Sequence, residues 1–239
     1  MKTIDSNIEE LESAIGYTFQ NKALIRSALT HSSYMNEQKI NKWDNYQRLE
    51  YLGDAVLELV SSEYIFHNHP NMKEGEMSKL RASMVCEPSL AICARDLHIG
   101  EYILLGKGEE NCGGRERDSI LSDVFEAIIG AIYLDGGFEK AREHILHYVF
   151  EDLDERQLFI DSKSLIQEKI QAMKHSEMHY ELLSENGPEH HKEFEVGLYI
   201  NGECVSIGKE FNKKRAEQKA AYLALKKLNN NSDEGKECI

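Results

Sequence analysis

Apolar residues in the first two thirds of the chain recur every three or four positions, the period of helices packed on one face. Ile8, Leu11 and Ile15 repeat this way. After a break near Gly16-Tyr17, so do Ala23, Leu24, Ile25, Ala28 and Leu29, so two short helices are expected over residues 5–30. The polar run Asn36–Asn45 reads as a loop. A long helix is expected from Gln47 to about His67, stopped at Pro70, which cannot continue it. Another stretch should run from Glu74 to about Leu97. A third spans Asp118 to Leu134, capped by Asp118 or Ser119 and ended by Asp135-Gly136-Gly137. A last one runs from Phe138 to about Leu153. Between them lies a glycine-rich loop, Gly106-Lys107-Gly108 and Gly113-Gly114-Arg115. It matches neither nucleotide-binding fingerprint, although Lys107, Arg115 and Arg117 stay candidates for touching a phosphate backbone.

The period changes after residue 160. Leu165, Ile166 and Ile170 mark a helix with Gln167 and Gln171 aligned on one face. A strand through Tyr180, Leu182 and Leu183 follows, then the loop Gly187-Pro188-Glu189-His190. Phe194, Val196, Leu198 and Ile200 alternate as a half-buried strand does. Asn201-Gly202 is a hairpin turn leading to a strand from Cys204 to about Lys209. The closing helix starts near Asn212 and packs through Ala216, Ala220, Leu223 and Ala224. The expected class is therefore an all-α domain followed by a small α-β-β-β-α domain of α+β type. The boundaries read as 1–155, a linker over 156–160, a second domain over 161–229 and a polar tail over 230–239.

Two of the helices carry acids where apolar residues dominate. At about 100° per residue, Gln47, Glu50, Asp54, Glu58 and Ser61 share one stripe of the Gln47–His67 helix. Leu49, Leu52, Ala55, Val56, Leu59, Val60 and Tyr64 cover most of the remainder, so that helix is expected to be largely buried. No Lys or Arg occurs between Leu49 and Met72, nor between Asp118 and Phe138. In the second helix Asp123 and Glu126 are neighbours at i,i+3, and Gly130 continues their stripe without a side chain, which permits close approach of another element. If the two stripes face each other, four carboxylates converge. Oxygen-only ligands of that kind suit Mg²⁺ or Mn²⁺, and such ions serve phosphodiester cleavage. Two separate solvated acidic faces are the alternative. His31, among hydroxyls, reads as a structural hydrogen-bonder.

Charge refines this picture. The chain has 239 residues and a net charge of −14, an unusual balance for a polyanion binder. Residues 161–228, however, hold 11 acidic and 11 basic residues, and the tail nets about −2, so the acidity belongs to the segment with the carboxylate stripes. The closing helix opens on Lys213-Lys214-Arg215. Cations at a helix N-terminus oppose its dipole, and phosphates bound there would reverse that cost. The cysteines, Cys86, Cys93, Cys112, Cys204 and Cys238, have no metal-knuckle or redox spacing. No targeting segment or membrane-length apolar run is present. Reduced thiols in a cytoplasmic, membrane-free protein are expected.

Gln47-Arg48-Leu49-Glu50-Tyr51-Leu52-Gly53-Asp54-Ala55-Val56-Leu57 closely resembles the signature of the ribonuclease III family. Ala28-Leu29-Thr30-His31-Ser32-Ser33-Tyr34, Glu74-Gly75-Glu76-Met77-Ser78-Lys79-Leu80-Arg81-Ala82 and Ser119-Ile120-Leu121-Ser122-Asp123-Val124-Phe125-Glu126-Ala127 agree with it. Residues 161–228 resemble a double-stranded-RNA-binding domain, marked by Gly187-Pro188-Glu189-His190 and Lys213-Lys214-Arg215-Ala216-Glu217-Gln218. The resemblance implies a homodimeric Mg²⁺-dependent endonuclease that cuts both strands of an RNA duplex, leaving 5′-phosphates and short 3′ overhangs, in rRNA and mRNA processing and without a small-molecule cofactor. It implies catalytic roles for Asp54 and Glu126 and metal ligation by Glu50, Asp123 and Glu126. Glu74 matches a further acidic position near the cutting site. Tyr51 falls where the family places an aromatic against the partner subunit, and Gln167, Gln171, His190, Lys213 and Lys214 fall at RNA-contact positions. One departure is Gln47, where many members carry an auxiliary Glu. A non-catalytic RNA-binding protein on a degenerate nuclease scaffold is the competing reading.

Overall fold

The computed structural model describes residues 4–38, 45–151, 153–173, 177–187 and 192–234. It divides into two compact units, Met1–Leu153 and Asp154–Ile239.

The first unit is helical. Its elements are α1 (Ile4–Ile15), α2 (Lys22–Ala28), α3 (Ser32–Gln38), α4 (Gln47–Asn68), α5 (Glu74–Met84), α6 (Glu87–Asp96), α7 (Lys107–Asn111), α8 (Asp118–Gly136) and α9 (Phe138–Ile145). A π-helical turn, Leu146–Phe150, extends α9. α8 is the centre of the unit. Its Val124, Phe125, Ala127, Ile128, Ile129, Ala131 and Ile132 are all buried, as expected of a helix that is apolar nearly all round. α4 lies against it so closely that glycines are required at the crossing. A Cβ on Gly53 would sit 1.8 Å from the carbonyl oxygen of Glu126, and one on Gly130 would sit 2.2 Å from that of Leu49.

Four expectations for this unit change. The stretch from Glu74 to Leu97 is two helices, because Pro88 in the first turn of α6 has no N–H to donate backwards. The residues after Leu29 form a third short helix, α3, rather than closing the second. Asn36 to Gln38 belong to it, while 39–44 of the expected loop lie outside the described residues. The glycine-rich segment is ordered by arginines: Arg115 Nη1 donates to the carbonyls of Gly100 at 2.8 Å and Ile103 at 2.9 Å, and Arg117 pairs with Glu109 at 2.5 Å. Both guanidiniums are thus paired within the unit, Arg117 while still exposed, and Lys107 is exposed at the start of α7. Lastly, α4 is not buried all round. Tyr51 (79%), Leu59 (58%) and Phe66 (66%) are exposed, and with exposed Ala55 they form an apolar stripe facing away from α8.

The second unit packs α10 (Leu153–Ala172) and α11 (Lys213–Glu234) on an antiparallel sheet of order β1-β2-β3, with β1 at Met178–Asn186, β2 at Glu193–Ile200 and β3 at Glu203–Glu210. Asn201 (φ 51°) and Gly202 (φ 83°) are both left-handed, as the two-residue turn between β2 and β3 requires. Ile166, Ile170, Leu198, Ala220, Ala221, Ala224 and Leu225 form the core. A Cβ on Gly208 would come within 2.1 Å of the Ala216 carbonyl, so α11 rests directly on β3. Residues 156–160, expected as a linker, are helical and part of α10. They are held because Gln218 Nε2 donates to the Phe159 carbonyl at 2.7 Å and the Phe159 ring meets Tyr222 edge-on.

Candidate functional site

Glu50 lies one turn into α4 and Asp123 one turn into α8, with Glu126 a further turn along. The close crossing of these helices brings the three carboxylates together: each offers an oxygen within 4.8 Å of the others. Asp54, one turn beyond Glu50, is exposed at the edge of this group. Among the described residues, no Lys or Arg pairs with any of the four.

Electrostatics record the crowding. Burial, followed by the charges of Asp54, Glu50, Asp123 and Glu58, pushes the Glu126 carboxyl up to about 8. Glu50 is raised by burial and by Asp123 and Asp54. Asp123 is also raised by burial, against a lowering contribution from the Tyr46 hydroxyl and His31. A divalent cation offsets repulsion of this kind, and an all-oxygen donor set fits a hard ion. The residues present therefore fit the metal.

The remaining expected residues are distributed around this centre. Gln47 is exposed at the start of α4, its N–H bonded to Asn45 Oδ1 at 3.0 Å. Glu74 is exposed at the start of α5, accepts from Ser78 at 3.1 Å and is not one of the three clustered acids. Glu58, farther along the α4 stripe, is paired with Arg81 of α5 at 2.8 Å. Lys213 and Lys214 are exposed at the start of α11, where Asn212 Oδ1 accepts from Lys214 N at 2.8 Å. Gln167 and Gln171 line an open groove of about 570 Å³ with Ile170, Met178, His179 and Tyr180. His190 lies outside the described residues.

Two neighbours of the acidic centre were not singled out from the sequence as part of it. Tyr46, 5% exposed, donates from its hydroxyl to Asp123 Oδ2 at 3.1 Å. His31 packs its ring 5.6 Å from that of Tyr46 and accepts at Nδ1 from the Ser33 amide at 3.1 Å, which leaves Nε2 to carry the proton of the neutral ring. Tyr46 was legible in principle, since the i,i+4 step joining Glu50 to Asp54 extends back to it.

Comparison with known proteins agrees with this arrangement. Residues 21–153 match the family described as Ribonuclease-III-like, and residues 162–228 match the double-stranded RNA binding motif. The chain belongs to the ribonuclease III family. It is 46% identical over 226 residues to Ribonuclease 3 of Oceanobacillus iheyensis, covering 94% of this chain and 99% of that one. It is 44% identical over 222 residues to Ribonuclease 3 of Listeria innocua, covering 92% and 97%. Among solved structures, a nuclease domain of ribonuclease III from Campylobacter jejuni superposes with a TM-score of 0.56 at 50% identity, covering 60% of this chain and 96% of that one. That structure is described as having flexibility in a region involved in dimer formation. Within this ribonuclease III family member, the acid-bearing helices fall in the nuclease match and the Lys213-Lys214 turn falls in the RNA-binding match.

Proposed function

We propose that this ribonuclease III family protein is a Mg²⁺-dependent endoribonuclease that hydrolyses both strands of double-stranded RNA, leaving 5′-phosphate and 3′-hydroxyl ends with short 3′ overhangs. Residues 1–155 would be its nuclease domain and 161–229 its RNA-binding domain. The observation that carries this reading is the convergence of Glu50, Asp123 and Glu126 in a chain that also bears a double-stranded RNA binding motif.

Glu50, Asp123 and Glu126 would hold Mg²⁺, for which Mn²⁺ substitutes. The ion supplies Lewis-acid polarisation of the scissile phosphodiester. Asp54, at the solvent edge of the group, orients the attacking water. Glu126, whose ordinary tendency to ionise is suppressed by burial and by its neighbours, would hold the ion as a carboxylate, the cation's charge offsetting the repulsion from those neighbours. An acidic domain acts on an anionic duplex because the second unit supplies the duplex affinity. Lys213 and Lys214 meet phosphates, while Gln167, Gln171 and His190 read the minor groove, where shape and 2′-hydroxyls dominate over sequence.

The exposed stripe Tyr51, Ala55, Leu59 and Phe66 supports a homodimer with Tyr51 at the interface, because an apolar face of that kind on a soluble unit calls for a cover. Its action would be on rRNA and mRNA precursors in the cytoplasm; among the described residues no helix is long and apolar enough to cross a membrane. Gln47, in place of the family's frequent Glu, leaves the clustered acids intact.

Cleavage of a long RNA duplex tests this reading. Wild-type protein with Mg²⁺ should yield short duplex products, and Asp54→Asn or Glu126→Gln should retain duplex binding while losing cleavage by several orders of magnitude. Undiminished cleavage by either variant would remove the assignment. Retention of duplex RNA without cleavage by the wild-type protein would favour the non-catalytic reading.

A further inference from the structure

The acidic centre needs its carboxylates oriented as well as gathered, and one buried side chain is built for that. Tyr46 is anchored on every side. Its N–H donates to the Thr30 carbonyl at 3.0 Å, its own carbonyl accepts from the Glu50 amide at 2.8 Å, and its ring packs on His31. Thr30 is itself tied down, since the flanking His31 N–H donates to the Leu104 carbonyl and the Leu104 N–H donates to that of Leu29. From this fixed base the hydroxyl crosses from the start of α4 to α8 and donates to Asp123 Oδ2. A phenol on a rigid ring has little freedom beyond rotation of its O–H, so the bond restricts how the Asp123 carboxylate can turn.

We propose that Tyr46 is a positioning residue for the metal centre. By donating to Oδ2 of Asp123, it sets the orientation in which that carboxylate meets a divalent cation shared with Glu50 and Glu126. The inference rests on the metal-centre reading given above. Hydrogen bonds from outside the ligand set commonly carry ~10–100-fold in metal affinity. Tyr46 removes the need for Asp123 to find its orientation when the ion arrives, and one oxygen atom is all that distinguishes it from Phe at this buried position.

The test compares the full-length wild-type protein with Tyr46→Phe. Mn²⁺ binding is measured without RNA by electron paramagnetic resonance, and Mg²⁺ activation of duplex cleavage is followed in parallel. The expected result is Mn²⁺ binding weakened about tenfold and a Mg²⁺ half-saturation raised by a similar factor. The cleavage rate at saturating Mg²⁺ should approach wild type, and the melting temperature in EDTA should fall by no more than the loss of a single hydrogen bond accounts for. Equal Mn²⁺ binding by the two proteins would overturn the inference, as would a lowered melting temperature with unchanged metal affinity, which is the mark of a packing role only. Failure of the wild-type protein to bind Mn²⁺ would instead remove the metal centre, and the inference with it. Should Tyr46→Phe not fold, 3-fluorotyrosine at position 46 keeps the hydroxyl and reports by its fluorine resonance. A shift on adding Mg²⁺ supports the coupling, and an unmoved resonance counts against it.

Discussion

Gly53 and Gly130 face each other across the crossing of α4 and α8: a Cβ on Gly53 would stand 2.9 Å from the Gly130 amide nitrogen, and one on Gly130 would stand 3.1 Å from that of Gly53. The contact is between backbones, and the same crossing sets the separation of Glu50 from Asp123 and Glu126. Helix interiors disfavour glycine by roughly 0.5–1 kcal/mol relative to alanine, so a glycine in each helix here marks a spacing requirement that outweighs propensity.

Gly53→Ala is therefore expected to destabilise the nuclease unit despite improving helix propensity. The added methyl would meet the Glu126 carbonyl, a backbone atom that cannot swing aside, so the cost should reach or exceed the upper end of the ~1–3 kcal/mol typical of overpacking. Denaturant unfolding measures it. The variant should also bind Mn²⁺ more weakly, because separating the helices separates the carboxylates. A variant as stable as wild type would contradict the close crossing.

A second expectation concerns pH. With Glu126 raised to about 8 in the folded chain from an ordinary 4.5, the folded state holds a proton over that interval which the unfolded state has released. The stability this contributes is fully present below about pH 4.5 and lost as pH rises through about 8. In EDTA, wild-type stability relative to Glu126→Gln should thus decline from about pH 5 to about pH 8. Mg²⁺ should reverse the trend, since the ion favours the ionised cluster. Thermal melts of both proteins at several pH values, with EDTA or Mg²⁺, check this. A wild-type curve parallel to that of Glu126→Gln in EDTA would refute it.

The carboxylate stripes were legible because helical periodicity places Glu50 with Asp54 and Asp123 with Glu126 regardless of what packs against them. The hairpin at Asn201-Gly202 was legible because its left-handed backbone admits few residue types. Other features depend on partners distant in sequence. Nothing near Arg115 announces that it will gather the carbonyls of Gly100 and Ile103, and Gly53, inside a motif noticed for its acids, gives no local sign of the Glu126 carbonyl beside it. Ala55 and Leu59 read as core by pattern, because periodicity separates apolar from polar faces and does not distinguish a buried face from an exposed apolar one. Tyr46 falls on the acidic stripe by its i,i+4 step to Glu50, but its hydroxyl's role depends on a partner, Asp123, whose position the local pattern does not give.

His144 gives a third expectation, opposite in sign. It is buried among the rings of Phe125 and Tyr148, with centroids 5.9 Å and 4.7 Å away, and burial pushes it down to about 4 from 6.5. The unfolded chain takes up a proton below about pH 6.5 that the folded chain refuses until about pH 4. The neutral ring's contribution is thus complete above about 6.5 and lost as pH falls toward 4. His144→Leu removes that proton uptake and keeps an apolar side chain of similar size. Its loss of stability between pH 6.5 and 4 should be shallower than wild type by acid titration followed with circular dichroism. An unchanged slope would mean that this ring is not held neutral.

The last expectation separates charge from shape in duplex recognition. Among the described residues neither Lys213 nor Lys214 is ion-paired, so a phosphate at the start of α11 would displace counterions and nothing else. Each such contact adds about one unit to the slope of log affinity against log salt. Lys213→Gln combined with Lys214→Gln should therefore flatten that slope by about 2, weakening binding most at low salt. Gln167 and Gln171 are neutral and line a groove with an aromatic floor at Tyr180. If they hydrogen-bond the duplex as proposed, their replacement by alanine should cost about 1 kcal/mol each, lowering affinity by a similar factor at every salt concentration and leaving the slope intact. Both sets are measured on one RNA duplex with Ca²⁺ in place of Mg²⁺, so that cleavage does not intervene. A slope unchanged by the lysine pair, or altered by the glutamine pair, would mean that α11 and α10 do not divide the work between phosphate charge and groove shape.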